Sequence, residues 1–175
     1  MFKCIFFGFS FAKNFFMSSE IPLRIKAGLR VAKPAAEVFE AIVNPEKMRN
    51  YFISRSSGRM EGGSTVEWGF PEMDMTFPVH VQNTEPGKLI SFTWKNINGK
   101  DTVVNIALHA VNENTTYVVI TEGDEEMNAQ GIQWLKGNTE GWANFLACLK
   151  GYLEYGINLR KGAFDPSQMP EQEAE

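Results

Sequence analysis

The sequence has little of what most directly announces chemistry. Among its 175 residues there are two cysteines and two histidines. Cys4 and Cys148 cannot build a disulfide framework, and with His80 and His109 they form no metal-ligand cluster at recognisable spacing, so no metal is expected. That cysteine usage fits a reducing compartment, and a cytoplasmic location is expected. Basic charge is also scarce: the net charge is −4 and no Lys/Arg cluster occurs anywhere, which argues against nucleic acid and anionic membrane surfaces as partners. There is no Gly-rich phosphate loop, no Gly-x-Ser-x-Gly and no His-Glu-x-x-His; "GGST" at 62–65 lacks the Lys and the spacing of a P-loop. No cofactor is called for.

What is present is an ordinary globular composition, 43% hydrophobic and 22% charged, enough for one domain with a substantial core. We place that domain at 17–164. The first sixteen residues, "MFKCIFFGFSFAKNFF", differ in composition from everything after them and are too short to span a bilayer. They read either as a secretory signal, with Lys3 as its basic region and Ser10-Phe11-Ala12 as a weak cleavage site, or as the product of a start codon called too early, with Met17 the true beginning. The short apolar region favours the second reading. Residues 165–175, "DPSQMPEQEAE", are acidic and Pro-bearing, and a disordered tail is expected there.

Between these ends the hydrophobic period changes three times. Leu23, Ile25, Ala27, Leu29 and Val31 alternate with polar residues or glycine, as in a half-buried strand. Pro34 then opens a helix through "AAEVFEAIV", which Asn44-Pro45 ends while capping a second short helix, "EKMRNYF". From about residue 55 the turns Gly62-Gly63, Glu85-Pro86-Gly87-Lys88, Asn98-Gly99 and Asn112-Glu113-Asn114 mark a β meander. Its inward residues are expected to be Val66, Trp68 and Phe70; Met75, Phe77, Val79 and Val81; Ile90, Phe92 and Trp94; Val104, Ile106 and Leu108; Tyr117 and Val119. Pro78 predicts an edge position or a bulge.

A long helix beginning near Gln130 closes the pattern. Trp142, Phe145, Leu146, Cys148, Leu149, Tyr152 and Leu153 fill an arc of roughly 160° at ~100° per residue, wider than a helix lying flat on a surface needs. Only a curved sheet can bury such a stripe. The fold class is therefore α+β, with about six consecutive antiparallel strands and one preceding strand wrapped around that helix. A straight helix and a curved sheet diverge toward one end, so a cavity is expected between them. Leu149→Asp should prevent folding, whereas Lys150→Asp, on the opposite side, should be nearly silent.

"VAKPAAEVFEAIVNPEKMRNYF" at 31–52 resembles the opening of START-like (SRPBCC) domains, and "GWANFLACLKGYLEYG" at 141–156 resembles the closing helix of one branch, the homologues of the activator of the heat-shock-protein-90 ATPase. The likeness runs from about Leu23 to about Phe164. It implies a helix-grip fold of order β-α-α-β6-α, with a pocket that across the superfamily accepts lipids, sterols and polyketides. Two departures stand out: Tyr51-Phe52 replaces the Trp-Phe frequent in this branch, and the chain is too short for the extra N-terminal domain of the eukaryotic co-chaperone, which counts against chaperone stimulation.

The expected partner is thus an apolar small molecule, bordered by Phe52, Trp68, Phe77, Trp94, Phe145, Leu149 and Tyr152. No catalytic residue is assigned. By alternation His80 and His109 face away from the core, and Glu67 and Glu122 are expected on the polar side of their strands. Cys148 lacks a flanking base and reads as a small buried hydrophobe. A binding protein is favoured. A cyclase, dehydratase or hydrolase would need an inward polar group, such as Glu67 or His80 on inverted strand faces. An interaction protein, whose partner the sequence does not identify, would need an exposed apolar patch.

Overall fold

The computed structural model describes residues 21–164; the leader and tail expected at 1–16 and 165–175 lie outside the described residues. The chain runs β1 (Leu23–Val31), α1 (Ala35–Val43), α2 (Pro45–Met48), β2 (Arg55–Ser56), β3 (Thr65–Gly69), β4 (Thr76–Glu85), β5 (Leu89–Lys95), β6 (Asp101–Asn112), β7 (Thr115–Glu125) and α3 (Ala129–Tyr155). The strands form one antiparallel sheet in the order β1-β7-β6-β5-β4-β3-β2. Consecutive strands pair through short turns, and β1 closes the far edge by pairing with β7 along its length. This is the helix-grip order.

The local signals act as their chemistry dictates. Asn44 caps α2 by accepting from the Glu46 N–H at 3.0 Å, with Pro45 just inside the helix. Asn128 does the same for α3 through Gly131 at 2.8 Å. In β4, the register shift falls between Val81 and Asn83, while Pro78 lies before the stretch paired with β5, where its missing N–H breaks no ladder.

The core fills the space between the concave face and α3. Ile25, Val66, Trp68, Ile90, Phe92, Val104 and Ile106 from the sheet meet Trp142, Phe145, Leu146, Cys148 and Leu149 from the helix. Along its length α3 lies closest to β1, leaving the β3–β5 side of the sheet splayed away from it.

Three expectations are corrected. On β7 the inward residues are Thr116, Val118, Ile120 and Glu122, while Tyr117 is 43% exposed. The stretch "TTYVVI" is apolar on both faces, so alternation alone does not set its phase; pairing with β6 does, placing Val118, Ile120 and Glu122 beside the inward Leu108, Ile106 and Val104. Met75, expected inward on β4, lies just before the strand and is exposed. Lys150 is also no idle surface residue. It donates to the Arg30 carbonyl at 3.1 Å and to Glu154, whose carboxylate in turn accepts from the Ala32 N–H at 2.6 Å. These contacts tie α3 to the end of β1, and reversing the Lys150 charge would break them.

Candidate functional site

The site is organised by a carboxylate that alternation misplaces. Glu122 is 1% exposed and points from β7 toward α3. Its Oε1 accepts from Trp94 Nε1 at 2.9 Å and Thr102 Oγ1 at 2.9 Å; its Oε2 accepts from Trp142 Nε1 at 2.7 Å. Asn138 Nδ2 reaches both oxygens, at 3.2 and 3.1 Å. No cation pairs with it among the described residues, so these neutral donors supply the stabilisation that burial removes. The cage also locks orientations. Both indoles spend their N–H groups on Glu122 and present only apolar ring surface elsewhere, and Asn138 must turn its amide oxygen away from the carboxylate.

In front of this cage the sheet and helix part. A groove of about 290 Å³ opens between Phe52, Phe70, Trp94 and Trp142, with Gly137 and Gly141 of α3 contributing no side chains to fill it. It continues toward the β5–β6 turn as a smaller cleft of about 180 Å³ between Phe77, Trp94 and Ile97. On the other side a cleft of about 380 Å³ runs past Tyr51, Phe52, Arg49 and Lys161. Phe52, Glu72, Arg160 and Phe164 stand between the first groove and this last cleft.

Arg160 is delivered there by the turn that ends α3. Gly156 caps the helix at φ 67°, a left-handed conformation that favours glycine, and the chain doubles back. The returning segment packs Leu159 on Gly151, where a Cβ would meet the leucine Cδ1 at 2.7 Å and push that side chain aside. The Arg160 guanidinium then lies over Phe52, Phe70 and Phe164, at 5.6, 5.7 and 4.8 Å from their ring centres, and its Nη2 donates to Glu72 Oε2 at 2.8 Å.

The sequence-predicted residues divide into two groups. Phe52, Phe77 and Trp94 line the openings. Trp68, Phe145, Leu149 and Tyr152 stand behind them: Phe145 packs edge-on against Phe52 at 4.7 Å, Trp68 against Phe52 at 5.8 Å, Tyr152 stacks on Tyr51 at 5.5 Å, and Leu149 is wholly buried. Tyr51 donates to the Ala41 carbonyl at 3.1 Å, and burial raises its pKa well above the ordinary phenol value. Asn138 and Arg160 were not singled out in the sequence, and Glu122, expected on the polar side of its strand, faces inward instead. Trp142 was visible as core, but nothing in sequence connects it to Glu122.

The remaining polar candidates stay outside the groove. His80 is exposed and shares a 2.9 Å hydrogen bond with Thr65; His109 is exposed, and Glu67 faces away from the core. Burial raises the Cys148 thiol, which disfavours the thiolate. No group of three or more metal-ligating side chains occurs among the described residues. No helix among them is long and apolar enough to cross a membrane.

A curved antiparallel sheet gripping one long helix, with a groove where the two part, defines a START-like domain. More narrowly, the chain belongs to the family described as Activator of Hsp90 ATPase homolog 1-like protein, whose profile matches residues 32–154. It is similar to the crystal structure of protein SSP2350 from Staphylococcus saprophyticus, with 33% identity and a TM-score of 0.69 over 79% of this chain and 96% of that one. It also resembles the Aha1 dimer from Colwellia psychrerythraea, with 20% identity and a TM-score of 0.65 over 77% of this chain and 98% of that one. DynU16, a protein in the dynemicin biosynthetic locus, is similar at 23% identity and a TM-score of 0.67 over 77% of this chain, which spans about half (48%) of DynU16. The last two likenesses establish a shared fold alone. No curated protein matched the sequence.

Proposed function

We propose that this is a cytoplasmic binding protein that holds an apolar small molecule, lipid-like or polyketide-like, in the groove between β3–β5 and α3. The observation that carries the reading is the Glu122 cage. By consuming the N–H groups of Trp94 and Trp142 it leaves two rigid indole surfaces as groove wall, which suits an apolar occupant and offers water few partners. The occurrence of DynU16 in a biosynthetic locus is in keeping with a small-molecule ligand.

An enzyme built on the same groove would use its inward carboxylate. Glu122 faces inward, which favours that reading on position alone, but every donor around it is committed and both of its oxygens are already accepting. A general base needs a free lone pair within reach of the proton it takes. Binding is therefore preferred to catalysis.

Native mass spectrometry of the protein purified from its own cells, followed by organic extraction, tests this. A stoichiometric apolar compound that is recovered unaltered supports the reading; conversion of that compound by the protein would replace it with the enzyme reading. Protein that stays free of ligand in cells, and that takes up no apolar compound on exposure to a cell extract, would contradict it.

A further inference from the structure

The surroundings of Arg160 are electrostatically lopsided, and that lopsidedness selects a ligand class. The groove itself is lined by one cation, Arg160, and one anion, Glu72; across the partition that these form with Phe52 and Phe164, the neighbouring cleft adds Arg49 and Lys161, so that the described side chains around Arg160 carry three cationic groups to one anionic in a chain of net charge −4. Arg49 is also paired with Glu46, but Lys161 has no anionic partner among the described residues. Elsewhere the groove wall includes Trp94, Asn138 and Trp142, the donors of the cage, with the Glu122 carboxylate buried behind them. The excess charge along these linings is therefore cationic and lies around Arg160, beside aromatic wall.

Arg160 carries the second observation. It is 17% exposed, enclosed by three aromatic rings, and among the described residues only its Nη2 is engaged, by Glu72. Its buried Nε–H has no hydrogen-bond partner among the described residues. Buried donors without partners are uncommon because each costs free energy, so this one marks a place where an acceptor is missing. Glu72 indicates what kind of acceptor fits, since a carboxylate already sits on one arm of the guanidinium; a guanidinium fork can take a second carboxylate or exchange the first.

Building on the binding reading above, we propose that the ligand is an apolar carboxylic acid. Its carboxylate sits at Arg160, which borders both the groove and the cleft that holds Lys161, and its apolar body extends along Phe52, Phe70, Trp94 and Trp142. The reverse orientation would set the ligand carboxylate against Trp94 and Trp142, whose N–H groups are already spent on Glu122. Glu72 acts as a resident competitor for Arg160, holding the guanidinium between its aromatic rings while the groove is empty and yielding it when a ligand carboxylate arrives.

The test compares dansyl-labelled undecanoate with its methyl ester, titrated into the full-length protein and followed by dansyl fluorescence. The acid is expected to bind about tenfold more tightly than the ester, the ratio given by one charge-assisted contact. Arg160→Met, which keeps the length of the stem, should bring that ratio to about one, and high salt should reduce it. Glu72→Gln should raise it, an effect in the opposite direction that loss of folding cannot imitate. Equal binding of acid and ester by the wild-type protein overturns the proposal while leaving the binding reading intact. Saturable binding of neither probe overturns both. A ratio near one that rises only when Asp165, Glu171, Glu173 and Glu175 are neutralised together would mean that the chain's own acidic tail occupies the cationic surroundings of Arg160, and would also overturn it.

Discussion

Replacing Glu122 with glutamine changes one oxygen into an amide nitrogen and should cost far more than its size suggests. The carboxylate accepts from four side chains, and the amide can accept on one atom only. If the new NH2 group takes the place of Oε2, it faces the indole N–H of Trp142, which is 3% exposed and has no route to water. If it takes the place of Oε1, Trp94 loses its acceptor, although the Thr102 hydroxyl can turn to accept. Leaving one buried donor unpaired costs about 1–3 kcal/mol, and weakening the remaining charge-assisted bonds brings the total to about 2–4 kcal/mol. For a domain of this size that lowers Tm by roughly 4–16 °C. Urea unfolding followed by tryptophan fluorescence, with thermal melts by circular dichroism, measures both. Glu67→Gln on the outer face is the control and should stay within about 0.5 kcal/mol. An unfolding midpoint for Glu122→Gln as close to wild type as that control would refute the cage as a source of stability.

The other predictions concern the helix, the acid range and the thiol. Leu149→Asp places an unpaired charge where the side chain is fully buried and should cost on the order of 5 kcal/mol, abolishing cooperative melting. Lys150→Asp loses the bond to Arg30 and sets a second carboxylate beside that of Glu154, for a loss of about 1–2 kcal/mol in the same assay. The Arg59 guanidinium, with help from Asn44, holds the Glu40 carboxyl down at about 2. Because the folded value is depressed, the stabilisation is present above the ordinary value of 4.5 and is lost as pH falls toward about 2. Partial exposure and solvent screening limit it to roughly 1 kcal/mol, so the stability difference between wild type and Glu40→Gln should shrink across that window in a pH series of urea melts. In a Cys4→Ser background, Cys148 should resist an aromatic disulfide reagent until the protein is unfolded, because burial raises its thiol; rapid labelling of the native state would contradict this.

Much of the architecture was legible because each element carries a signal that tertiary structure does not overrule. Alternation over Leu23–Val31, the Asn44-Pro45 punctuation and the wide stripe on α3 each point to one local structure, and together they leave a helix gripped by a sheet as the packing solution. β7 was harder for a physical reason. "TTYVVI" would satisfy either face, and only its register against β6 decides that Glu122 turns inward. The site depends on that choice, because the cage joins residues from β5, β6, β7 and α3 that no sequence spacing relates. Aromatic content made a lined groove foreseeable in kind, yet it could not separate the groove wall of Phe52, Phe77 and Trp94 from the packing behind it. Arg160 lay beyond the last helix, where a basic residue ordinarily reads as solvated; the turn at Gly156, with Leu159 packed on Gly151, brings it back over the groove.

The four tryptophans allow the most direct test of the groove as a binding site. In a proton–nitrogen correlation spectrum their indole N–H resonances report separately on the groove, represented by Trp94 and Trp142, the packing behind it, represented by Trp68, and the buried Trp134, which lines none of the three clefts. Titration with dansyl-labelled undecanoate should shift the Trp94 and Trp142 signals in a saturable manner while leaving Trp134 in place. Shifts spread evenly over all four, or confined to the exposed outer face around Tyr117 and Val103, would contradict a ligand held between sheet and helix.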